Sequence, residues 1–240
     1  MLANLSSCEE AEPVMSPVFA SDGGAGRTKN TAAVTEEDDG IITVCLDPGH
    51  GFDDVGTDSA FLGELAEKDI TLAVTLLIKD KLTALGYEVV LTHDGKSFPK
   101  SSVDDGNNLF NPKERIDYAA GLDIDFYLSI HCDTYAADSR VMGTRIYYSK
   151  DTDFTEESAD AAGRMMRGIN SALPDEKKAV LKEMEFDAAY YVVRAASVPS
   201  VLIEMGFVTN QTDAKNMLSE EWQLAFAEGI ANGLHTYFAQ

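Results

Sequence analysis

The sequence predicts an α/β fold, in which a single domain has a mainly parallel, twisted sheet of about six strands with helices on both faces. Short apolar runs alternate along the chain with stretches whose apolar residues follow helical spacing. Three of the apolar runs lead to a residue with acid/base or metal-binding chemistry: His131 and Glu204 follow their runs directly, and His50 comes after a short turn. In parallel sheets of this kind, functional groups collect at the carboxyl ends of the strands.

The predicted strands are short runs rich in branched and aromatic residues. The run before His50 ends abruptly in Pro48 and Gly49, so the histidine is expected on a loop. We expect the fourth strand to lie beside the third. The predicted strands cover residues 41–46, 87–92, 126–131, 144–148, 190–193 and 199–203.

The helices are predicted from apolar stripes and from their boundary residues. A long helix runs from about Ile70 to Leu85 and ends at Gly86, a residue suited to the left-handed turn after a helix. A short helix is expected over 112–120 and a longer one over 155–172. The last helix begins after Ser219 as N-cap, with Glu220 and Glu221 in its first turn and an apolar stripe of Trp222, Phe226, Ile230, Leu234 and Tyr237.

The composition excludes several classes of function. With 41 acidic and 19 basic residues the formal net charge is −22, which argues against binding to nucleic acid or to an anionic membrane surface. No apolar stretch approaches the roughly 20 residues of a membrane span. No serine-nucleophile elbow and no glycine-rich phosphate loop is present. The three cysteines are too few for a disulfide scaffold, and Cys45 and Cys132 are expected to be buried thiols.

The first 40 residues differ from the rest of the chain. Residues 1–40 are rich in small and acidic residues without helical or strand period, so we predict a disordered acidic tether, followed by one catalytic domain over 41–240. The segment Leu5-Ser6-Ser7-Cys8 has the shape of a bacterial lipoprotein cleavage site. Either the chain starts inside a signal sequence, with a lipid anchor at Cys8, or this match is accidental.

Two histidines and a carboxylate suggest a catalytic metal site. His50, His131 and an acid would supply three ligands and leave one position open, as catalytic zinc requires. We choose Glu67 over Glu64 as the acid, because Glu67 abuts the start of the long helix, where packing can fix its direction. Glu64 lies on a glycine-bearing loop and is expected to be a solvated surface acid.

Glu204 has a different chemical role in this hypothesis. It ends a strongly apolar strand, so its surroundings should be dry and its pKa raised. Such an acid can take a proton from water and return it to a leaving amine. The structural alternative is a salt bridge with Arg194 or Arg115. His93 and His235 are interpreted as structural, in a turn and in the last turns of a helix.

The order of several short motifs resembles one known family. These motifs are Asp47-Pro48-Gly49-His50-Gly51, Glu67-Lys68-Asp69, Val90-Leu91-Thr92, Glu114-Arg115-Ile116, Ser129-Ile130-His131 and residues 199–210, which include Glu204-Met205-Gly206-Phe207. Over about residues 41–238 the chain is similar to zinc-dependent N-acetylmuramoyl-L-alanine amidases with the type-3 catalytic domain. It departs from the family at Cys132, where alanine is usual, and at His93, where arginine is common.

The resemblance implies both an activity and roles for particular residues. His50, Glu67 and His131 would bind one zinc ion, and Glu204 would be the catalytic acid. The enzyme would hydrolyse the amide between N-acetylmuramic acid and the L-alanine of the peptidoglycan stem, outside the cytoplasm of a bacterium, as a monomer that is secreted, held in the cell wall or anchored by lipid. The alternatives are a zinc peptidase or peptide amidase of other specificity, and a non-catalytic wall-binding module.

Overall fold

Six β-strands form one sheet in the computed structural model, which describes residues 40–97, 111–173, 180–184 and 190–240. The predicted tether over 1–40 and Cys8 lie outside the described residues, apart from Gly40. Across the sheet the strand order is β2-β1-β3-β6-β4-β5. The strands are β1 (Thr43–Pro48), β2 (Glu88–Leu91), β3 (Phe126–Asp133), β4 (Arg145–Ser149), β5 (Val180–Met184) and β6 (Ser200–Phe207).

The sheet is mainly parallel, as the sequence predicted. β1 pairs in parallel with β2 and β3, and β3 pairs in parallel with β6. β4 is antiparallel to β6, and β5 is parallel to β4. The expectation that the strand over 144–148 lies beside β3 was wrong, because β6 lies between them. The carboxyl ends of β1, β3 and β6 therefore share the middle of one sheet edge.

Helices cover both faces of the sheet and enclose two separate apolar cores. The larger core packs under α1, α3 and α6, and the smaller one packs under α2 and α4. Within the described ranges, none of the helices combines the length and apolar composition needed to cross a membrane. The helices are α1 (Glu67–Ala84), α2 (Pro112–Ala119), α3 (Thr155–Ala172), α4 (Tyr191–Ala195), α5 (Gln211–Met217) and α6 (Glu220–Phe238).

The central strands alternate between the two cores. On β6, Val201 and Ile203 belong to the larger core, whereas Leu202 belongs to the smaller one. β3 shows the same alternation, with Tyr127 on the side of the smaller core. This period of two decides which face each residue at a strand end can reach. By this alternation Glu204 belongs with Leu202, on the face covered by the short helices.

Most element boundaries follow their local signals. The long helix ends as predicted before Gly86, which has a positive φ of 95°, and the Ser219 side chain caps α6 by accepting from the Trp222 backbone N–H. The predicted strand over 190–193 was wrong, since the chain there forms α4 and buries the adjacent residues Val192 and Val193 in the smaller core. β propensity reflects how side chains pack on a sheet rather than a fixed backbone preference. Here the same apolar side chains pack into the smaller core from a helix instead. β5 and α5 were not predicted.

Three glycines bring α3 and α6 into close contact. A Cβ atom built on Gly168 would lie 2.1 Å from the carbonyl oxygen of Gly229, and one built on Gly233 would lie 2.4 Å from the Cα of Met165. These neighbours are backbone atoms, which cannot move aside as a flexible side chain can. The absence of side chains at these positions therefore sets the distance between the two helices.

Gly168→Ala should lower the free energy of unfolding by about 1–3 kcal/mol, because the added methyl group overpacks the contact between α3 and α6. Gly163→Ala is the matched control on the same helix, since its Cβ would meet only the end of the Arg167 side chain, at 3.5 Å. The control should be neutral or stabilising by up to about 1 kcal/mol. Urea denaturation of both variants checks this, and equal stabilities would contradict the packing argument.

Candidate metal and catalytic site

The three chemistry-bearing residues of the strand ends lie together at the carboxyl edge of the sheet. His50 comes two residues after the end of β1, while His131 and Glu204 lie in the second halves of β3 and β6. His131 and Glu204 are direct neighbours in the parallel pairing of those two strands. The sheet thus brings together residues that are more than 150 positions apart in the sequence.

His50, Glu67 and His131 form a compact cluster of metal-type ligands. Nε2 of His50 lies 3.3 Å from Oε1 of Glu67, and Nδ1 of His131 lies 3.1 Å from the same oxygen. One ligand atom from each residue can be chosen so that all three lie within 4.8 Å of one another. Two imidazoles and one carboxylate are the donor set of many catalytic zinc sites, so the residues present fit a zinc ion.

Hydrogen bonds to both carboxylate oxygens fix the position of the Glu67 side chain. Glu67 is the first residue of α1 and only 1% exposed. Its Oε1 accepts from the Cys132 backbone N–H at 2.8 Å, and its Oε2 accepts from the Thr57 N–H at 2.9 Å. Burial opposes ionisation, but the hydrogen bonds and charges of His131 and His50 outweigh it and lower the pKa of Glu67. Glu64 is exposed, as expected for a surface acid.

The loop that carries His50 is tightly constrained. His50 itself has a left-handed backbone, with φ of 62°, which costs a non-glycine residue about 1–3 kcal/mol. Gly49 must lack a side chain because a Cβ there would lie 2.5 Å from the His131 ring. Gly56 is similarly close to the rings of the site, with a hypothetical Cβ 2.6 Å from His50 Cδ2. The glycines therefore allow the two imidazoles to approach each other.

Asp54 orients the imidazole of His50. Its Oδ2 lies 2.9 Å from Nδ1 of His50, and its Oδ1 accepts from the Gly56 backbone N–H at 3.1 Å. A carboxylate on one ring nitrogen favours the tautomer whose other nitrogen is free to bind a metal. Nε2 of His50 is therefore directed towards Glu67.

A buried ion pair lies directly beneath the loop. Asp47 is fully buried and accepts hydrogen bonds from Thr92 Oγ1 at 2.6 Å, from Arg115 Nη1 at 2.7 Å and from Ser129 Oγ at 2.7 Å. Burial alone would raise the pKa of Asp47, but the Arg115 guanidinium and these hydrogen bonds hold it below its usual range. Asp47 is thus an ionised carboxylate with a full set of partners.

Arg115 also donates hydrogen bonds to the backbone on either side of Gly49. Its Nη1 donates to the carbonyl of Pro48 at 2.8 Å, and its Nη2 donates to the carbonyl of His50 at 2.6 Å. From α1, Thr71 Oγ1 donates to the carbonyl of Gly49 at 2.7 Å. Three successive carbonyls of the loop are therefore held by side chains of two helices, which keeps His50 in its strained conformation.

His93 is structural, as interpreted from the sequence, but it does more than form a turn. It is 3% exposed, and its Nε2 lies 2.8 Å from the carbonyl oxygen of Pro48. His93 therefore supports the same loop as Arg115 from the β2 side. His235 is far from the cluster in the fold, and its Nδ1 lies 2.9 Å from the hydroxyl of Tyr87.

Glu204 is a buried acid with a carboxyl oxygen that lacks a hydrogen-bond partner among the described residues. It is 6% exposed, and this oxygen is Oε2. Burial raises the pKa of Glu204 well above its usual range, and the charges of Asp133 and Glu67 add to this, while Arg145 opposes it. The alternative of a salt bridge with Arg115 was wrong, because that guanidinium pairs with Asp47.

A cleft of about 300 Å³ opens onto these groups. Polar site residues form one part of its lining, and apolar and aromatic side chains, several of them at α4, form the rest. The lining comprises Asp47, His50, Asp54, Pro112, Arg115, His131, Tyr190, Tyr191, Val192, Leu202 and Glu204. Concave sites with an apolar wall and few convergent polar groups are typical of small-molecule and peptide binding.

The supporting roles of three residues were not predicted from the sequence. Asp47 was quoted only within a motif, Arg115 was named there and as a possible partner of Glu204, and Asp54 was not singled out. The available signal was a charged residue directly before Pro48 in an otherwise apolar strand, which must find a partner when buried. Cys45 and Cys132 are buried thiols, as predicted.

Comparisons with known proteins identify the family of this chain. A family profile described as N-acetylmuramoyl-L-alanine amidase matches residues 44–236. The uncharacterised protein YqiI of Bacillus subtilis is 34% identical over 199 residues, which cover 82% of this chain and 85% of that protein. The N-acetylmuramoyl-L-alanine amidase AmiC of Neisseria meningitidis is 29% identical over 230 residues, and the match spans about half of its length, 52%.

Solved amidase structures share the fold. The N-acetylmuramoyl-L-alanine amidase AmiC2 of Nostoc punctiforme superposes with a TM-score of 0.68 at 28% identity, over 83% of this chain and 98% of that one. An N-acetylmuramoyl-L-alanine amidase from Clostridium difficile 630 gives a TM-score of 0.70 at 26% identity, over 83% and 98% of the two chains. Because the family profile spans most of the described domain, this chain belongs to the N-acetylmuramoyl-L-alanine amidase family.

Proposed function

We propose that this protein is a zinc-dependent peptidoglycan hydrolase, which cleaves the amide between N-acetylmuramic acid and the L-alanine of the stem peptide. The observation that carries the proposal is the buried Glu204 carboxyl beside the cluster of His50, Glu67 and His131, at the floor of an open cleft. Membership of the amidase family supports the choice of the bond.

One zinc ion per chain would be held by His50, Glu67 and His131. The ion supplies Lewis acidity, which polarises an amide carbonyl and makes water nucleophilic near neutral pH. Glu67 contributes the negative charge of the site. Its two hydrogen bonds from backbone N–H groups hold the carboxylate beside the two histidines. Asp54 and Arg115 act through His50, by orienting its ring and its backbone.

Glu204 transfers the proton during hydrolysis. Its carboxylate accepts a proton from the attacking water as the water oxygen bonds to the carbonyl carbon. The same carboxyl then gives that proton to the amide nitrogen as the C–N bond breaks, which leaves the lactyl carboxylic acid and the free amine of alanine. The remaining proton of the water passes from this acid to the amine, which gives a carboxylate and an ammonium group. A pKa raised by burial suits this exchange, because the group can hold a proton between the two steps.

The location of the protein follows from its proposed substrate. We place the enzyme outside the cytoplasm, at the bacterial cell wall, where peptidoglycan is found. Residues 1–40 would act as an acidic tether to the catalytic domain over 41–240, with lipid attachment at Cys8 as one way of retaining it. The domain would act as a monomer, since the cluster and Glu204 all come from one chain.

The identity of the cleaved bond tests the function directly. Purified protein with zinc should release stem peptides from peptidoglycan and expose a new amino-terminal alanine, as seen by mass spectrometry of digested sacculi. Cleavage within the stem would instead support a peptidase of other specificity. Binding to sacculi without any cut bond would support a wall-binding module.

Glu204→Gln should retain bound zinc and lose about 10²–10⁴-fold in kcat, because the neutral side chain of glutamine cannot accept a proton from the attacking water. The matched control is Glu64→Gln, which changes an exposed acid near the site and should leave both properties unchanged. Zinc content by elemental analysis, measured together with turnover, separates loss of chemistry from loss of metal. Near-normal turnover in Glu204→Gln would refute the assigned role.

His50→Ala should abolish stoichiometric zinc binding, since the variant lacks one of three ligands. Asp54→Asn should keep the ligand set but weaken zinc affinity by about 10–100-fold, the usual effect of losing a carboxylate that orients a ligating histidine. His235→Ala is the control, because His235 contacts Tyr87 rather than the cluster. Competition with a chromophoric chelator measures all three affinities, and wild-type affinity in Asp54→Asn would contradict the orienting role.

A further inference from the structure

Three functional side chains form a straight row across the sheet. His131 on β3 pairs with Glu204 on β6, and Glu204 pairs in turn with Arg145 on β4. Residues that are direct partners in neighbouring strands extend to the same side of a sheet. Arg145 therefore lies beside Glu204, on the face that holds the cleft, with Glu204 between it and the metal-type cluster.

The guanidinium of Arg145 is held in place but not enclosed. Its Nη1 donates to Oδ2 of Asp133 at 3.1 Å, and its carbon lies 4.4 Å above the centre of the Phe207 ring. The side chain is still 33% exposed. Arginine presents five N–H donors in a planar fork, so the hydrogen bonds with Asp133 and with the Tyr147 hydroxyl leave further donors for a ligand.

Aromatic side chains connect Arg145 to the lining of the cleft. Tyr147 lies two residues along β4, on the same face as Arg145. Its ring stacks on that of Tyr190, with centroids 4.8 Å apart, and Tyr190 lines the cleft beside Glu204. Tyr190 thus links the lining of the cleft to Tyr147, on the strand that carries Arg145.

The charge around the cleft makes this arginine important for an anionic ligand. Asp54 and Glu204 line the cleft, Asp133 lies close enough to Glu204 to act on its charge, and the whole chain carries a net charge of −22. Arg115 is not suited to binding an anionic ligand, because its guanidinium is buried and pairs with Asp47. A carboxylate bound near Glu204 would be repelled by these acids unless Arg145 paired with it.

We propose that Arg145 binds the free carboxylate of the second residue of the stem peptide and so makes the enzyme selective for acidic over amidated stems. This rests on the proposed function. On an extended stem that carboxylate lies about two Cα steps, roughly 8 Å, from the scissile carbonyl. The backbones of β3 and β4 are two strand spacings apart, about 10 Å, so a stem lying along the row reaches Arg145.

The experiment compares two soluble muropeptides that differ only at the second stem residue, which carries a free carboxylate in one and the corresponding carboxamide in the other. The wild-type zinc enzyme should cleave the acidic muropeptide with kcat/KM about tenfold or more above that for the amidated one, mainly through a lower KM. Arg145→Gln should remove this preference, and Arg145→Lys should keep part of it because it retains the charge.

Arg140→Gln is the matched control, since Arg140 also pairs with an aspartate, Asp138, but is 89% exposed on a loop. It should preserve the wild-type ratio. A ratio near one in the wild type, or an unchanged ratio in Arg145→Gln, would overturn the proposal. An effect of Arg145 on Glu204 alone would change turnover of both muropeptides equally and leave the ratio intact, which also overturns it. If the wild type cleaves neither muropeptide, the proposed function fails instead.

Discussion

The buried ion pair of Asp47 and Arg115 is the interaction on which the site depends. Asp47 is the penultimate residue of β1, and Arg115 comes from α2, 68 positions further along the chain. Removing either partner would leave an unpaired buried charge, at a cost of about 3–5 kcal/mol. The same guanidinium holds the carbonyls of Pro48 and His50, so the pair links fold stability to the direction of a proposed zinc ligand.

The site combines strain with many fixed contacts. The left-handed backbone at His50 is unfavourable on its own, and it persists because α1, α2 and the end of β2 each bind a neighbouring carbonyl. In contrast, Glu204 is only 6% exposed and has an oxygen without a hydrogen-bond partner among the described residues. Rigid ligands beside a poorly solvated acid are what metal-assisted hydrolysis requires, because the ligands must stay while the proton moves.

The sheet order explains why the proposed catalytic acid and the proposed selectivity determinant are neighbours. β6 is inserted between β3 and β4, so Glu204 has a metal-type ligand on one side and Arg145 on the other. The antiparallel direction of β4 places the start of that strand, rather than its end, at the carboxyl edge of β6. A substrate extending from the cluster across β6 therefore meets a cation next.

Local patterns in the chain were sufficient for the fold class, for five of the six strands and for the cluster residues His50, Glu67 and His131. Apolar periodicity and boundary residues depend on only a few neighbouring positions, so the sequence predicts these features without knowledge of the tertiary structure. The strand order, the helix at Tyr191–Ala195 and the pairing of Arg115 with Asp47 could not be read in this way. They depend on contacts between distant residues, where burial forces each charge to find a partner and packing overrides local preference.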